Sequence, residues 1–91
     1  MDIRYRNQFK RDYKLMIKRG KDMDILDGVI EDLAVPLQLP DSFRDHNLLG
    51  AYAGYKECHI APDWLLIYGY EQIDDRQQLL LVRTGTHADL F

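Results

Sequence analysis

Ninety-one residues with 46% hydrophobic content describe one small folded domain spanning 1–91, and argue against a disordered chain. The apolar runs are too short to cross a membrane and the N-terminal stretch lacks a secretory h-region. The single cysteine, Cys58, excludes a disulfide framework and a cysteine-built zinc site, so a reducing, cytoplasmic setting is expected. The net charge of −3 is unevenly divided. Residues 1–21 hold eight Lys/Arg against two Asp, and residues 22–91 hold four against thirteen Asp/Glu, which leaves nucleic acid open as a partner.

Residues 2–6 alternate and predict a short strand with Ile3 and Tyr5 on one face. Phe9, Tyr13, Met16 and Ile17 then recur at helical spacing, while Lys10, Arg11, Lys14 and Lys18 lie off that stripe as a basic face. Gly20 is a natural stop. Asp22 or Asp24 can cap a second helix, in which Leu26, Val29, Ile30 and Leu33 form the apolar stripe and Pro36 prevents continuation. The short connection predicts an antiparallel helical hairpin. Residues 36–54 read as irregular, with Pro36, Pro40, Gly50 and Gly54, and a long ordered loop in a small domain is more often functional than not. Tyr55–Ile60, the connection Ala61-Pro62-Asp63 and Trp64–Tyr70 predict a β-hairpin. Residues 71–78 read as a polar turn, and Leu79–Thr86 as the last strand. The order β-α-α-β-β-β predicts an α+β domain with the helical hairpin on one face of an antiparallel-rich sheet.

Strand parity then sorts the polar residues. Tyr55, Glu57 and His59 share one face, so the helices are expected to cover the Cys58 and Ile60 side. Arg83, Gly85 and His87 share a parity with Leu79 and Leu81, which would leave the open face polar at one end only. The chain has three histidines, His46, His59 and His87, with Asp45, Glu57 and Asp63 near the first two and Arg83 four residues before the third. One reading is a zinc site of three His and an Asp, but no two histidines have the short spacing usual for zinc. The other is metal-independent acid–base chemistry at a phosphodiester. Imidazole suits proton transfer near neutrality, an arginine suits the phosphate, and RNA supplies its own nucleophile in the 2′-hydroxyl. Trp64 is a candidate for stacking on a base.

Three separated strings, FRDHNLLG, ECHIAPDWLLIY and VRTGTHADLF, resemble the YafQ branch of the RelE/ParE toxin superfamily in order and spacing, as does the N-terminal FKRDYKLMIKRG. The resemblance covers nearly the whole chain. It implies the RelE-like fold and a ribosome-dependent mRNA endonuclease without a cofactor. It also implies the toxin role in a type II toxin–antitoxin pair, neutralised by a DinJ-like antitoxin. By resemblance His46, His59, Asp63, Arg83 and His87 carry catalysis, with His87 as general acid and Arg83 on the phosphate, while Trp64 and Phe91 bind substrate. Asn47 follows His46 where the family often has proline, which bears on loop rigidity. The basic face of Lys10, Arg11, Lys14 and Lys18 is expected to meet ribosomal RNA, and the acidic second helix to face basic antitoxin segments. A ParE-like gyrase poison and a non-enzymatic interaction module are the alternatives. Neither has a use for proton-transfer groups.

Overall fold

The computed structural model describes residues 1–35, 46–48 and 50–91. The described elements are β1 (Asp2–Tyr5), α1 (Asn7–Lys18), α2 (Met23–Ala34), β2 (His46–Asn47), β3 (Lys56–Ala61), β4 (Trp64–Ile73), β5 (Arg76–Gly85) and α3 (His87–Leu90), with a 3-10 turn at Gly50–Tyr52. They form an α+β domain with the sheet order β1-β5-β4-β3-β2. β1 runs parallel to β5 and the other pairs are antiparallel. Among the described residues no helix is long and apolar enough to cross a membrane.

The helical hairpin forms where the apolar spacing places it, with one shift. Phe9 and Met16 are buried, but Ile17 is 53% exposed, and Asp12 is buried in the same row. The inward stripe of α1 therefore runs through Phe9, Asp12, Tyr13 and Met16, and the expected place of Ile17 in the core is corrected. Gly20 ends α1 at φ 75°, where the N–H groups of Gly20 and Lys21 return to the carbonyls of Ile17 and Met16. Asp22 caps α2 by accepting the Asp24 N–H at 3.1 Å. Tyr13 Oη donates to Asp27 across the hairpin at 2.8 Å. Tyr70 Oη donates to the carbonyl of Leu33 at 2.9 Å, tying α2 to the sheet.

One core lies between the hairpin and the sheet, where Leu26, Val29, Ile30 and Leu33 meet Cys58, Ile60, Leu66, Tyr68, Leu79 and Leu81. The helices cover the Cys58 and Ile60 side, as parity requires. The opposite face is not simply open. Leu65, Ile67, Leu80, Val82 and Leu90 form a second, smaller core, capped by Leu48, Tyr52 and Tyr55. Gly69 admits this cap, since a Cβ there would lie 2.8 Å from the Tyr55 ring.

Two strand expectations are corrected. Residues 71–78 are not a turn: β4 runs to Ile73 and β5 starts at Arg76, joined at Asp74-Asp75 with Asp74 at φ 54°. The hairpin extends past the core, so mostly polar side chains suit both its faces. The second correction is a β-bulge. Ile67 pairs with Arg83 but Tyr68 pairs with Leu81, so Val82 is an extra residue. Leu79 and Leu81 therefore face the helices, while Arg83 and Gly85, beyond the bulge, face the other way. The strip expected to be irregular lies outside the described residues at 36–45 and 49. Within them, His46–Asn47 pairs with β3 as β2.

Candidate active site

The short helix α3 is built by a capping box. Thr86 Oγ1 accepts the Asp89 N–H at 3.2 Å, and Asp89 Oδ2 accepts the Thr86 N–H at 2.8 Å. Gly85 allows the close turn, because a Cβ there would lie 2.9 Å from Asp89. Arg19, just past α1, grips the same carboxylate with Nη1 at 2.5 Å and Nη2 at 3.0 Å. These bonds, the Arg19 pair first and the Thr86 N–H next, hold the Asp89 carboxyl well below the usual carboxylate range. The last turn of the chain is thereby pinned to the helical hairpin, with His87 at its first position.

His87 meets Asp63, which stands in the β3–β4 turn. Nδ1 of His87 lies 2.8 Å from Asp63 Oδ1, and the His87 backbone N–H reaches the same oxygen at 3.2 Å. Both side chains are more than half exposed, at 56% and 66%. The hydrogen bonds from the His87 ring and backbone lower the Asp63 carboxyl. A carboxylate on Nδ1 fixes the tautomer, so Nε2 is the nitrogen left to exchange protons. The His59 ring, on β3, lies 6.0 Å from the His87 ring between centroids. Glu57, on the same strand face, is buried. Glu57, His59 and His87 each offer one ligand atom, all within 4.8 Å of one another, so these are the described residues that could hold a metal ion. His46 belongs to β2, with its backbone opposite Glu57.

Arg83 is held from two sides. Its Nε and Nη2 donate to Asp12 at 2.8 and 3.1 Å, and its Nη1 donates to Tyr52 Oη at 3.2 Å. The Asp12 bonds raise the guanidinium above its already high pKa, so it stays charged. Among the described residues three of its five N–H donors find partners, which leaves two for an anion. Phe91 is exposed and sets its ring edge-on against Tyr52, with centroids 5.6 Å apart, and 6.4 Å from the His87 ring.

The stacking role expected for Trp64 is corrected. Its side chain is 2% exposed among the helix-side core residues, and its indole N–H donates to Thr84 Oγ1 at 2.9 Å. Trp64 shares strand parity with Leu66 and Tyr68, so its ring faces the helices and not a base. Lys10, Arg11, Lys14 and Lys18 are exposed on α1. The structure adds residues that sequence reasoning missed: Asp12, Tyr52, and the Arg19–Asp89 pair. Asp12 carried a signal, being a carboxylate three residues after Phe9 and four before Met16, where helical spacing demands burial.

The YafQ family, described as the bacterial toxin of a type II toxin–antitoxin system, matches residues 1–91. Over 91 residues the chain is 44% identical to the mRNA interferase toxin YafQ of Escherichia coli strain K12, covering 99% of this chain and 95% of that protein. A chain in the crystal structure of the E. coli DinJ–YafQ toxin–antitoxin complex aligns with a TM-score of 0.79 at 43% identity, covering 99% of this chain and 96% of that one. A metal-bound toxin from Helicobacter pylori aligns with a TM-score of 0.88 at 35% identity, covering 100% of this chain and 99% of that one.

Proposed function

The chain belongs to the YafQ family of bacterial toxins from type II toxin–antitoxin systems, and from that premise we propose that it is an mRNA interferase. In this reading it is an endoribonuclease that cuts mRNA on the ribosome by acid–base chemistry, using the RNA 2′-hydroxyl as nucleophile. The observation that carries the reading is the Asp63–His87 pair, which commits Nδ1 of the imidazole and leaves Nε2 for proton transfer. A neighbouring base takes the 2′-hydroxyl proton; His59, whose ring adjoins His87, is our assignment, with Glu57 on the same strand and His46 on the adjoining one. The 2′-oxygen attacks phosphorus, the P–O5′ bond breaks, and protonated His87 gives its Nε2 proton to the departing 5′-oxygen. The products are a 2′,3′-cyclic phosphate and a 5′-hydroxyl. Arg83 meets the charge that grows on the phosphorane. Phe91, exposed beside Tyr52, offers a ring to a base.

The relative from E. coli is an mRNA interferase by name, which supports cleavage over a ParE-like gyrase poison. The E. coli toxin is seen in complex with DinJ, and a DinJ-like antitoxin is the partner we assign here. Ribosomal RNA is the surface we assign to Lys10, Arg11, Lys14 and Lys18, which makes cytoplasmic ribosomes the site of action. The H. pylori toxin is metal-bound, and Glu57, His59 and His87 are the donors a cation would use in this chain. A metal held there would occupy the imidazole nitrogens that move protons, so it would inhibit.

The test is cleavage of a defined mRNA by purified protein with and without ribosomes, comparing wild type with His87→Ala in EDTA. The expected result is cleavage only on ribosomes, untouched by EDTA and reduced about 10²- to 10⁴-fold in the variant. Ribosome binding in the same samples should weaken with salt and when Lys10, Lys14 and Lys18 are reversed to Glu. Full cleavage by His87→Ala, or none by folded wild type, would remove the reading.

A further inference from the structure

Asp12 lies in the middle of α1 and is 5% exposed, an uncommon place for a carboxylate. Buried charges persist where they are paired and fully hydrogen-bonded. Asp12 Oδ1 accepts from Gln8 Nε2 and from Arg83 Nη2, each at 3.1 Å. Its Oδ2 accepts from Arg83 Nε at 2.8 Å and from the backbone N–H of Thr84 at 3.2 Å. A structural ion pair would need only the charge partner, but this carboxylate does two further things.

First, it holds the backbone beside the bulge. β1 pairs with β5 only as far as Leu81, so beyond that point the strand edge meets α1, and Asp12 accepts the Thr84 N–H there. Second, it grips the guanidinium in a two-pronged bond, which fixes the plane of the group as well as its position. Tyr52 limits a third direction through Nη1. Rotation of the Arg83 head is thereby closed off, and the directions of its remaining donors on Nη1 and Nη2 are fixed.

We propose that Asp12 is a positioning residue for RNA cleavage, anchoring β5 beside its bulge and aiming the remaining N–H donors of Arg83 at the scissile phosphate. The proposal rests on the reading of Arg83 as the phosphate-holding cation. Misplacement of a positioned group by about 1 Å can cost on the order of 10²-fold in rate, so the effect falls on the chemical step. Ribosome capture uses other surfaces and is unaffected.

The experiment is single-turnover cleavage on mRNA-programmed ribosomes by wild type, Asp12→Asn, Arg83→Lys and the double variant, with the half-saturating ribosome concentration recorded for each. Asp12→Asn should cut about 10- to 100-fold more slowly, with half-saturation within about twofold of wild type. Arg83→Lys keeps the charge but cannot form the two-pronged bond, and the double variant should be no slower than Arg83→Lys alone. Multiplying effects in the double variant, or a full rate for Asp12→Asn, would overturn the proposal. If wild type cleaves and Arg83→Lys also cleaves at full rate, the phosphate role of Arg83 fails and the proposal with it, while the nuclease reading stands. A wild type without cleavage removes both. A second measurement needs no folded variant: NMR of wild type should show one arginine Nε–H exchanging more than about tenfold slower than the others. If every arginine Nε–H exchanges at the solvent-facing rate, the guanidinium is not held and the proposal is wrong.

Discussion

The two faces of the sheet are made by the same strands and differ in what keeps them in place. The helix-covered face is closed by Leu26, Leu33, Leu66, Leu79, Leu81 and other apolar side chains, with Trp64 bonded to Thr84 inside it. The opposite face has a small apolar floor, five buried residues among those described, and is finished by polar pairs, Asp63 with His87 and Arg83 with Tyr52. Hydrophobic burial is non-directional, so the apolar packing of the first face stabilises without aiming a group, and Asp12 is the buried polar exception on the helix side. Hydrogen-bonded ion pairs are directional but contribute less when exposed, so the second face can aim groups with less stability of its own. The placement of the candidate site on the second face follows from that contrast.

The contrast is sharpest at Leu80 and Leu81, adjacent in sequence and fully buried on opposite faces. Truncating a buried leucine to alanine costs about 2–5 kcal/mol, according to how far its surroundings can collapse. Leu81→Ala leaves a void between helices and sheet that cannot close, and should fall at the high end. Leu80→Ala lies under Tyr55 and its neighbours, which can settle inward, and should fall at the low end. Urea unfolding of both variants measures the difference. Equal losses would mean that the second face is as rigid as the first.

The asymmetry between the faces was legible in the sequence only in part. Period-3.6 spacing marked both helices, and alternation marked the Cys58 and Ile60 side for burial, because both signals are local. The extra residue Val82 was not legible, since a bulge is set by pairing across strands and leaves no mark in alternation. Simple alternation therefore gives Arg83 the parity of Leu79, while its actual neighbour, Asp12, lies seventy-one residues away in sequence. Trp64 departs from expectation for the opposite reason. Its place at a hairpin turn suggests exposure, but tertiary packing and the Thr84 acceptor draw the ring inside. The three histidines stand out because imidazoles are few in this chain, and Asp63 because it sits at the hairpin turn four residues after His59, not because their distances are visible.

On the polar face the next effect concerns Asp63. Asp63→Asn keeps the shape but removes the carboxylate that holds Nδ1 of His87. Losing the correct tautomer is very costly where the pair is buried. Here both partners are more than half exposed, so a drop of about 10- to 100-fold in single-turnover rate is expected, with unchanged unfolding in urea. A loss of stability without loss of rate would make Asp63 part of the scaffold.

The smallest effect tests how α3 is held. The Asp89 carboxyl sits below its usual range chiefly because Arg19 grips it, with the Thr86 N–H second. A group depressed in the folded state contributes stability above its unfolded pKa, about 3.9, and that contribution is lost as pH falls toward the depressed value. Wild type should therefore lose more stability than Asp89→Asn when urea unfolding is moved from pH 5 to pH 3, and should be the more stable protein at pH 7. Parallel losses would show that Arg19 and Asp89 meet without consequence. Because α3 is only one turn long, its own hydrogen bonds cannot hold it. Loosening it moves His87 away from Asp63 with little change in either core, so Asp89→Asn should slow cleavage more than its modest effect on unfolding suggests. A rate unaffected at neutral pH would leave the Asp63 contact as sufficient to hold the imidazole by itself.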